Sequence, residues 1–460
     1  MDIEKLNILD KDFKDKDFKD KDIKDKESKE PRDVLSPEIR IGVGGNVDAG
    51  KSSFVGVITK NILDNGRGYA RSFILKHKHE QETGRTSAVS QQYIRTPDKV
   101  IEFNDLAGHE KYYKCTAKEL SNSFLDYVAI IINSGSGIQL MTREHMALAY
   151  SLRIPMFVIF TKIDSSPANV YEMNLEYIKS YYEKKMNLEI QTITNEDELN
   201  NFLNKTKFIK GCNIVPVFPV SNVSGKGIDI VRIFLNTLEK YTNYNELVHS
   251  ETNFQVSRTY HVQGIGLVVS GNMKSGLVKK GDVLYIGPNA NGYQRDSNNN
   301  AIISTPLDYG TANYTPINNF YKIVVKGIHN NFQENVEFLK AGYSGCFNIK
   351  PVGRTSLKRN MIRQGMRILS DVKSVYQFEA KIKIYNSSST ITAKYQPVLH
   401  CGGISQAVKI VKMDKEYLRS FDEAVVTFKF LYRPEYLETG NIFIMREGNL
   451  KALGKVLRVD

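Results

Sequence analysis

The chain has 460 residues, 41% of them hydrophobic, and a formal net charge of +12 at pH 7. At roughly 100–200 residues per domain, this is two to four domains with ample cores. No apolar run reaches the roughly 18 residues of a membrane span, and the charged opening MDIEKLNILDKDFKDK resembles neither a secretory signal nor a transit peptide. Cys115, Cys212, Cys346 and Cys401 lie far apart with no C-x-x-C pair, which argues against sequence-local zinc ligation and points to a reducing, cytoplasmic setting.

Residues 12–26 repeat as DFKDK, DFKDK, DIKDK, a period of five that suits neither helix nor strand. So few apolar groups cannot offset the entropy of ordering, so residues 1–36 read as a disordered mixed-charge tail. Residues 1–33 hold ten Lys and Arg against twelve Asp and Glu. That net of −2 leaves about +14 on the remaining chain, by subtraction from +12. Such a field favours nucleic acid or another polyanion, although dispersed solubility charge gives the same count.

From residue 38 the pattern becomes strand, turn, helix. IRIGVGG (39–45), VIEFN (100–104), DYVAIIIN (126–133), PMFVIFT (155–161) and IVPVFPV (214–220) read as buried parallel strands with amphipathic stretches between them. This predicts a doubly wound α/β domain over 37–246, with ligands beyond the carboxyl ends of the strands. After about 245 the helical signal fades. The alternating, Gly-punctuated run from 254 to 287 and a second from 372 to 460 predict two β-barrels, over 247–371 and 372–460. The Asn-rich stretch 287–310 reads as an extended surface loop.

GNVDAGKSS (45–53) fits the phosphate-loop pattern G-x-x-x-x-G-K-[ST], placed between a strand and a helix. Gly45 and Gly50 free the backbone so that N–H groups of the loop can face phosphates, and Gly45, Asn46, Val47, Asp48, Ala49, Gly50 and Ser53 are expected in the nucleotide site. Lys51 is expected to reach the β- and γ-phosphates and Ser52 to ligate Mg²⁺. DLAGHE (105–110) ends the next apolar strand. Asp105 suits the Mg²⁺ shell, Gly108 an N–H to the γ-phosphate, and His109 the orientation of an attacking water. TKID (161–164) supplies Asp164, whose carboxylate accepts from guanine N1–H and the exocyclic amine, a donor pair that adenine lacks. Lys162 can lay its stem over the base. SNV (Ser221, Asn222, Val223) can offer backbone N–H groups to the guanine O6. The nucleotide is therefore GTP.

Together these residues resemble a translational GTPase of the elongation factor Tu and elongation factor 1-alpha superfamily. A finer resemblance, to its GTP-binding protein 1 and 2 branch, rests on GNVDAGKSS, residues 63–90, DLAGHEKY, SNVSG, YQPVLHCGGISQAVKI (395–410) and MREGNLKALGKV (445–456). It covers about 38–460. The resemblance implies that Thr86 closes on Mg²⁺ and the γ-phosphate, that His109 is the catalytic histidine, and that Asp48 serves a monovalent cation or ribosomal RNA. It also implies barrels that embrace aminoacyl-tRNA, a ribosomal partner, and, in some members, work in mRNA surveillance with the decay machinery. The expected protein is monomeric, away from membranes and cytoplasmic.

Three departures stand out. Thr161 replaces the commoner Asn, Val223 replaces the Lys of the S-A-K form, and Arg85 stands opposite Val47 where an apolar gate residue is expected. The stretch 66–86 is strongly basic, with Arg67, Arg71, Lys76, His77, Lys78, His79 and Arg85 around Tyr69 and Phe73. It reads either as an RNA-contacting segment with steep salt dependence or as a solvated charged helix. The first functional reading is a GTP switch acting on aminoacyl-tRNA and the ribosome, or in translation-linked surveillance. The second is a GTP-stabilised adaptor in an RNA-decay or translation complex. A sulfate-activating GTPase of the same superfamily comes last.

Overall fold

The computed structural model describes residues 36–74, 90–109, 116, 120, 125–209, 211–240, 242–289, 293–295, 301–303, 320–353, 357–447 and 450–459. The tail assigned to 1–36 lies outside these residues, apart from Ser36.

Seven strands form the first sheet: β1 (Glu38–Gly45), β2 (Ser90–Arg95), β3 (Val100–Asp105), β4 (Tyr127–Asn133), β5 (Met156–Thr161), β6 (Glu189–Thr192) and β7 (Ile214–Pro219). Their order is β2-β3-β1-β4-β5-β7-β6. All neighbours are parallel except β2, which pairs antiparallel with β3. Both faces are covered, which explains the predominantly apolar runs. In β4, Tyr127, Ala129 and Ile131 join one core while Val128, Ile130 and Ile132 join the other. The longer helices are α1 (Lys51–Lys60), α2 (Leu140–Ser151), α3 (Ala168–Tyr181), α4 (Glu196–Lys205) and α5 (Ile228–Thr237). The chain runs outward from β1 to one side and returns to the other, so the crevice beside the end of β1 is the natural ligand position.

Two closed six-stranded barrels follow. The first joins β8 (Asn253–Val262), β9 (Gly266–Ser275), β11 (Val283–Gly287), β14 (Tyr321–Asn330), β16 (Ser344–Pro351) and β17 (Arg367–Leu369), with the short pair β10 (Leu277–Lys279) and β15 (Phe338–Lys340) beside it. Within the Asn-rich stretch, β12 (Tyr293–Arg295) and β13 (Ala301–Ile303) pair antiparallel. The expectation of a plain extended loop is corrected there. Tyr293, Gln294 and Arg295 find backbone partners in Ile303, Ile302 and Ala301, so these residues form a ribbon. The second barrel joins β18 (Gln377–Asn386), β20 (Val398–Cys401), β21 (Ile404–Met413), β23 (Glu423–Phe430), β24 (Ile442–Glu447) and β25 (Leu450–Val459). The small pair β19 (Ile391–Thr392) and β22 (Tyr417–Leu418) lies at its rim. Closure leaves neither barrel an open sheet edge.

The α/β domain meets the two barrels differently. At the first barrel the contact is charged and buried. Arg40, only 1% exposed, donates to Glu38 Oε2 (2.8 Å), the Gly342 carbonyl (3.0 Å) and Ser344 Oγ (2.7 Å). Lys240 Nζ donates to the carbonyls of Glu38 and Gly342, both at 2.7 Å. Burial acts against the Arg40 charge, yet Glu38 and Glu102 override it and hold its pKa above the usual value. At the second barrel the contact is mainly apolar. Ile444 and its cross-strand partner Leu453 pack into the core that contains Met146, Leu148 and Tyr182. One ion pair, Arg446 to Glu144 of α2 at 2.7 Å, accompanies them.

Candidate nucleotide site

The loop between β1 and α1 is shaped by backbone that only certain residues tolerate. Gly45 has φ +142°, and a Cβ there would lie 2.3 Å from the Ile131 carbonyl oxygen. Gly50, at φ +91°, opens α1, and exposed Asp48 sits at φ +58°. The result is a turn wrapped around a helix N-terminus, where free N–H groups and the helix dipole favour an anion. Lys51 is buried at the helix start and donates to the Asn46 carbonyl at 2.7 Å. Burial lowers its pKa, with Asp105 and Asp48 acting in the opposite direction. A phosphate in the loop would supply the counter-charge that a buried ammonium lacks.

The end of β3 brings the second group of residues onto this loop. Ser52 Oγ donates to Asp105 Oδ2 at 2.6 Å. A hydroxyl and a carboxylate held together at the phosphate loop are the hard oxygen donors that Mg²⁺ takes, so the residues present fit that ion. Gly108 passes so close that a Cβ would meet Lys51 Nζ at 2.3 Å and the Gly45 carbonyl oxygen at 2.9 Å. Any larger residue would push the segment off the loop. His109 follows, exposed, directly after buried Leu106, Ala107 and Gly108. The Thr116 hydroxyl steadies the segment by donating to the Ala107 carbonyl at 3.0 Å. Thr86 and Arg85, together with residues 75–84 of the basic segment, lie outside the described residues. Of that segment's described part, Tyr69 and Phe73 are exposed and meet edge to face at 5.1 Å.

The third group ends β5 and β7. Thr161 is fully buried, and its hydroxyl donates to the Ala49 carbonyl (2.7 Å) and the Ile132 carbonyl (3.2 Å). The residue that replaces Asn thus ties the phosphate loop to the base side through its hydroxyl. Lys162, at φ +61°, and Asp164 are both exposed beyond it. Ser221 Oγ accepts from the N–H groups of Val223 (3.2 Å) and Ser224 (3.0 Å), shaping the turn. Asn222 is 7% exposed, and its Oδ1 has no hydrogen-bond partner among the described residues. Its Nδ2 lies near Gly50, 3.5 Å from where a Cβ would be. A buried carboxamide in this condition suits a ligand group or a water.

Two contributors escaped the sequence reading. His145 of α2 accepts the Gly45 N–H on Nδ1 at 2.8 Å, which puts its own proton on Nε2. Burial, with Lys51 nearby, pushes its pKa down to about 3, so it stays a neutral acceptor. Gln139, just before α2, accepts from the Asn46 amide. A lone histidine in an amphipathic helix gives no local sign that it reaches a loop 100 residues away in sequence.

A family profile described as the elongation factor Tu GTP binding domain matches residues 36–253. GTP-binding protein 2 of Homo sapiens is 30% identical over 458 residues, covering 94% of this chain and 71% of that protein. The chain belongs to the elongation factor Tu-type GTPase family. Its relatives include GTP-binding protein 1 of Xenopus laevis, 34% identical over 452 residues, of which the chain spans only 63% while 92% of the chain is covered. Among solved structures, a bacterial selenocysteine-specific elongation factor shares the fold with a TM-score of 0.62 at 18% identity. That match covers 92% of this chain and 58% of the other. Within this family the loop 45–53 belongs to the GTP-binding domain.

Proposed function

We propose that the chain is a GTP-hydrolysing switch that acts on aminoacyl-tRNA at the ribosome or in translation-linked mRNA surveillance. The observation that carries this reading is the convergence of Lys51, the Ser52–Asp105 pair and Gly108 on one loop at the sheet's carboxyl edge. Residues 45–53 cradle the phosphates, and Lys51 balances their charge. Ser52, Asp105 and Thr86 would hold Mg²⁺, which would supply positive charge to offset that of the phosphates. Asp164 and Lys162 read guanine, with Thr161, Ser221, Asn222 and Val223 forming the walls behind it. His109 orients the water that attacks the γ-phosphorus, while the β–γ bridging oxygen leaves with GDP.

Little covalent work is asked of these residues, since positioning and charge stabilisation carry phosphoryl transfer. Loss of the γ-phosphate releases the Gly108 and Thr86 segments, and the barrels then let go of RNA. The chain works as a monomer in the cytoplasm.

The test is GTP hydrolysis by the purified chain, alone and with eukaryotic 80S ribosomes plus aminoacyl-tRNA. Stimulation of at least about tenfold, roughly 1.4 kcal/mol of transition-state stabilisation, is expected. His109→Ala should abolish it while GTP affinity changes less than about twofold. Equal loss of binding and turnover would sink the role of His109. A partner held equally with GTP and GDP would replace the switch with the adaptor reading.

A further inference from the structure

The rim of the second barrel carries an aromatic and basic cluster for which the nucleotide site has no use. Backbone hydrogen bonds bring its parts together. Thr392 of β19 pairs with Tyr417 of β22. The Phe421 N–H donates to the Ile384 carbonyl at 2.7 Å, the Ser387 N–H to Ser420 Oγ at 3.0 Å, and the Lys394 N–H to the Ile410 carbonyl at 2.9 Å. Tyr385, Val411, Tyr417 and Phe421 are all exposed there, and the Arg419 guanidinium lies 5.0 Å from the centre of the Tyr417 ring.

Two of these positions are held at a cost. Phe421 has φ +72° and Lys394 φ +78°, a region that glycine enters freely and bulky side chains enter with strain. Phe421 regains almost nothing through burial, because 78% of it is exposed. The turn closed by the Asp422 N–H on the Arg419 carbonyl (3.2 Å) sets this positive φ but favours glycine there, and core packing does not account for a phenylalanine. Strain of this kind, held against the folding preference, is a feature of binding surfaces.

Charge says what kind of partner fits. Between Lys381 and Glu423 the chain has seven Lys and Arg against four Asp and Glu. Three of those acids are engaged: Asp414 accepts from the Val425 N–H, Asp422 from the Arg419 N–H, and Glu423 pairs with Lys381 and Lys383. The segment therefore keeps a net of +3, seven less four, and Lys394, Lys415 and Arg419 are exposed in it alongside Tyr417 and Phe421.

We propose that this rim binds single-stranded RNA, with bases stacked on Phe421 and Tyr417 and phosphates meeting Lys394, Lys415 and Arg419. Flat faces suit any unpaired base, and the interleaved cations suit the backbone between bases. A duplex hides its base faces and offers such rings nothing to stack on. A protein partner would need a groove or a continuous apolar face, whereas these rings are separated by charge. The proposal holds whether or not the chain hydrolyses GTP.

The experiment is fluorescence anisotropy of a 5′-fluorescein decauridylate with the full chain at 50 and 200 mM KCl. Three phosphate contacts predict about a 20-fold weakening between the two salts. Phe421→Gly should weaken binding at least about fivefold, with a thermal midpoint equal to or above that of the unaltered chain because the strain is relieved. Should that midpoint fall instead, Tyr417→Ser decides by the same affinity criterion. Unchanged affinity in the deciding variant overturns the proposal. So does an equal loss on a ten-base-pair RNA duplex, which would mean phosphate contact without stacking. Absence of saturable binding at 50 mM would also overturn it and leave the rim as a protein-facing surface.

Discussion

The α/β domain grips its two barrels by opposite physics. Against the first barrel it buries Arg40, Glu38 and Glu102 with the Ser344 hydroxyl and the Gly342 carbonyl. Against the second it buries Ile444, packs the partly buried Leu453 beside it and adds one partly buried ion pair. Buried charge demands a single geometry, because every displaced group is left desolvated and unpaired. Apolar contact is non-directional and survives small slides. The first contact thus sets the orientation of the domain, while the second supplies adhesion and can rearrange. The second is also the one joined to the nucleotide site. Helix α2 carries Glu144 toward the barrel and His145 toward Gly45.

Arg40→Ala should produce the largest effect on this contrast. It strands Glu38 and Glu102 in a buried interface, and urea denaturation should show a loss of about 3–5 kcal/mol. A loss below about 1 kcal/mol would mean that water reaches the contact and the distinction collapses. Ile444→Ala should cost about 2–4 kcal/mol through lost burial and a residual cavity, with the same denaturant slope as the unaltered chain.

The link through α2 predicts a pH effect. His145 is neutral in the fold down to about pH 3, whereas in the unfolded chain it takes up a proton below its ordinary value of 6.5. The folded pKa is depressed, so its contribution is full above 6.5 and lost as pH falls, by about 1.4 kcal/mol per unit. Between pH 7 and 5 this amounts to about 2 kcal/mol, visible as a smaller pH dependence of stability in His145→Gln. An unchanged pH dependence would show that the histidine is solvated and does not tie α2 to the loop. The smallest effect belongs to Glu144 and Arg446. A double-mutant cycle with Glu144→Gln and Arg446→Gln should give a coupling of about 0.5 kcal/mol, weakening with salt. A coupling as large as the Arg40 loss would make the two contacts alike.

Much of the α/β domain is legible from local pattern. Strands β4, β5 and β7 are nearly continuous apolar runs, and β1 and β3 are apolar apart from a few buried polar groups, because both sheet faces are covered. The phosphate loop, D-x-x-G and TKID are legible for a related reason: they are short, and their chemistry needs particular residue types at fixed spacing. The edge strands β2 (SQQYIR) and β6 (EIQT) are not, because they are largely polar and are strands only through the neighbours they pair with. The β12–β13 ribbon was hidden in the same way, because its short strands exist only through their mutual pairing.

What the sequence determined by itself is therefore the succession of an α/β domain and two barrels, and the phosphate-loop, D-x-x-G and TKID motifs at the ends of its strands. Those follow from local periodicity and from motifs whose residues sit close together in the chain. Tertiary structure alone decided that Arg40, inside an apolar run, is the buried key to the first barrel. It alone brought His145 to Gly45, let the Thr161 hydroxyl bind the Ala49 carbonyl, and gathered Tyr417, Arg419 and Phe421 on one rim with Lys394. Each depends on segments far apart in the chain, where burial and hydrogen-bond geometry are set by the packing of whole elements rather than by any residue's neighbours in sequence.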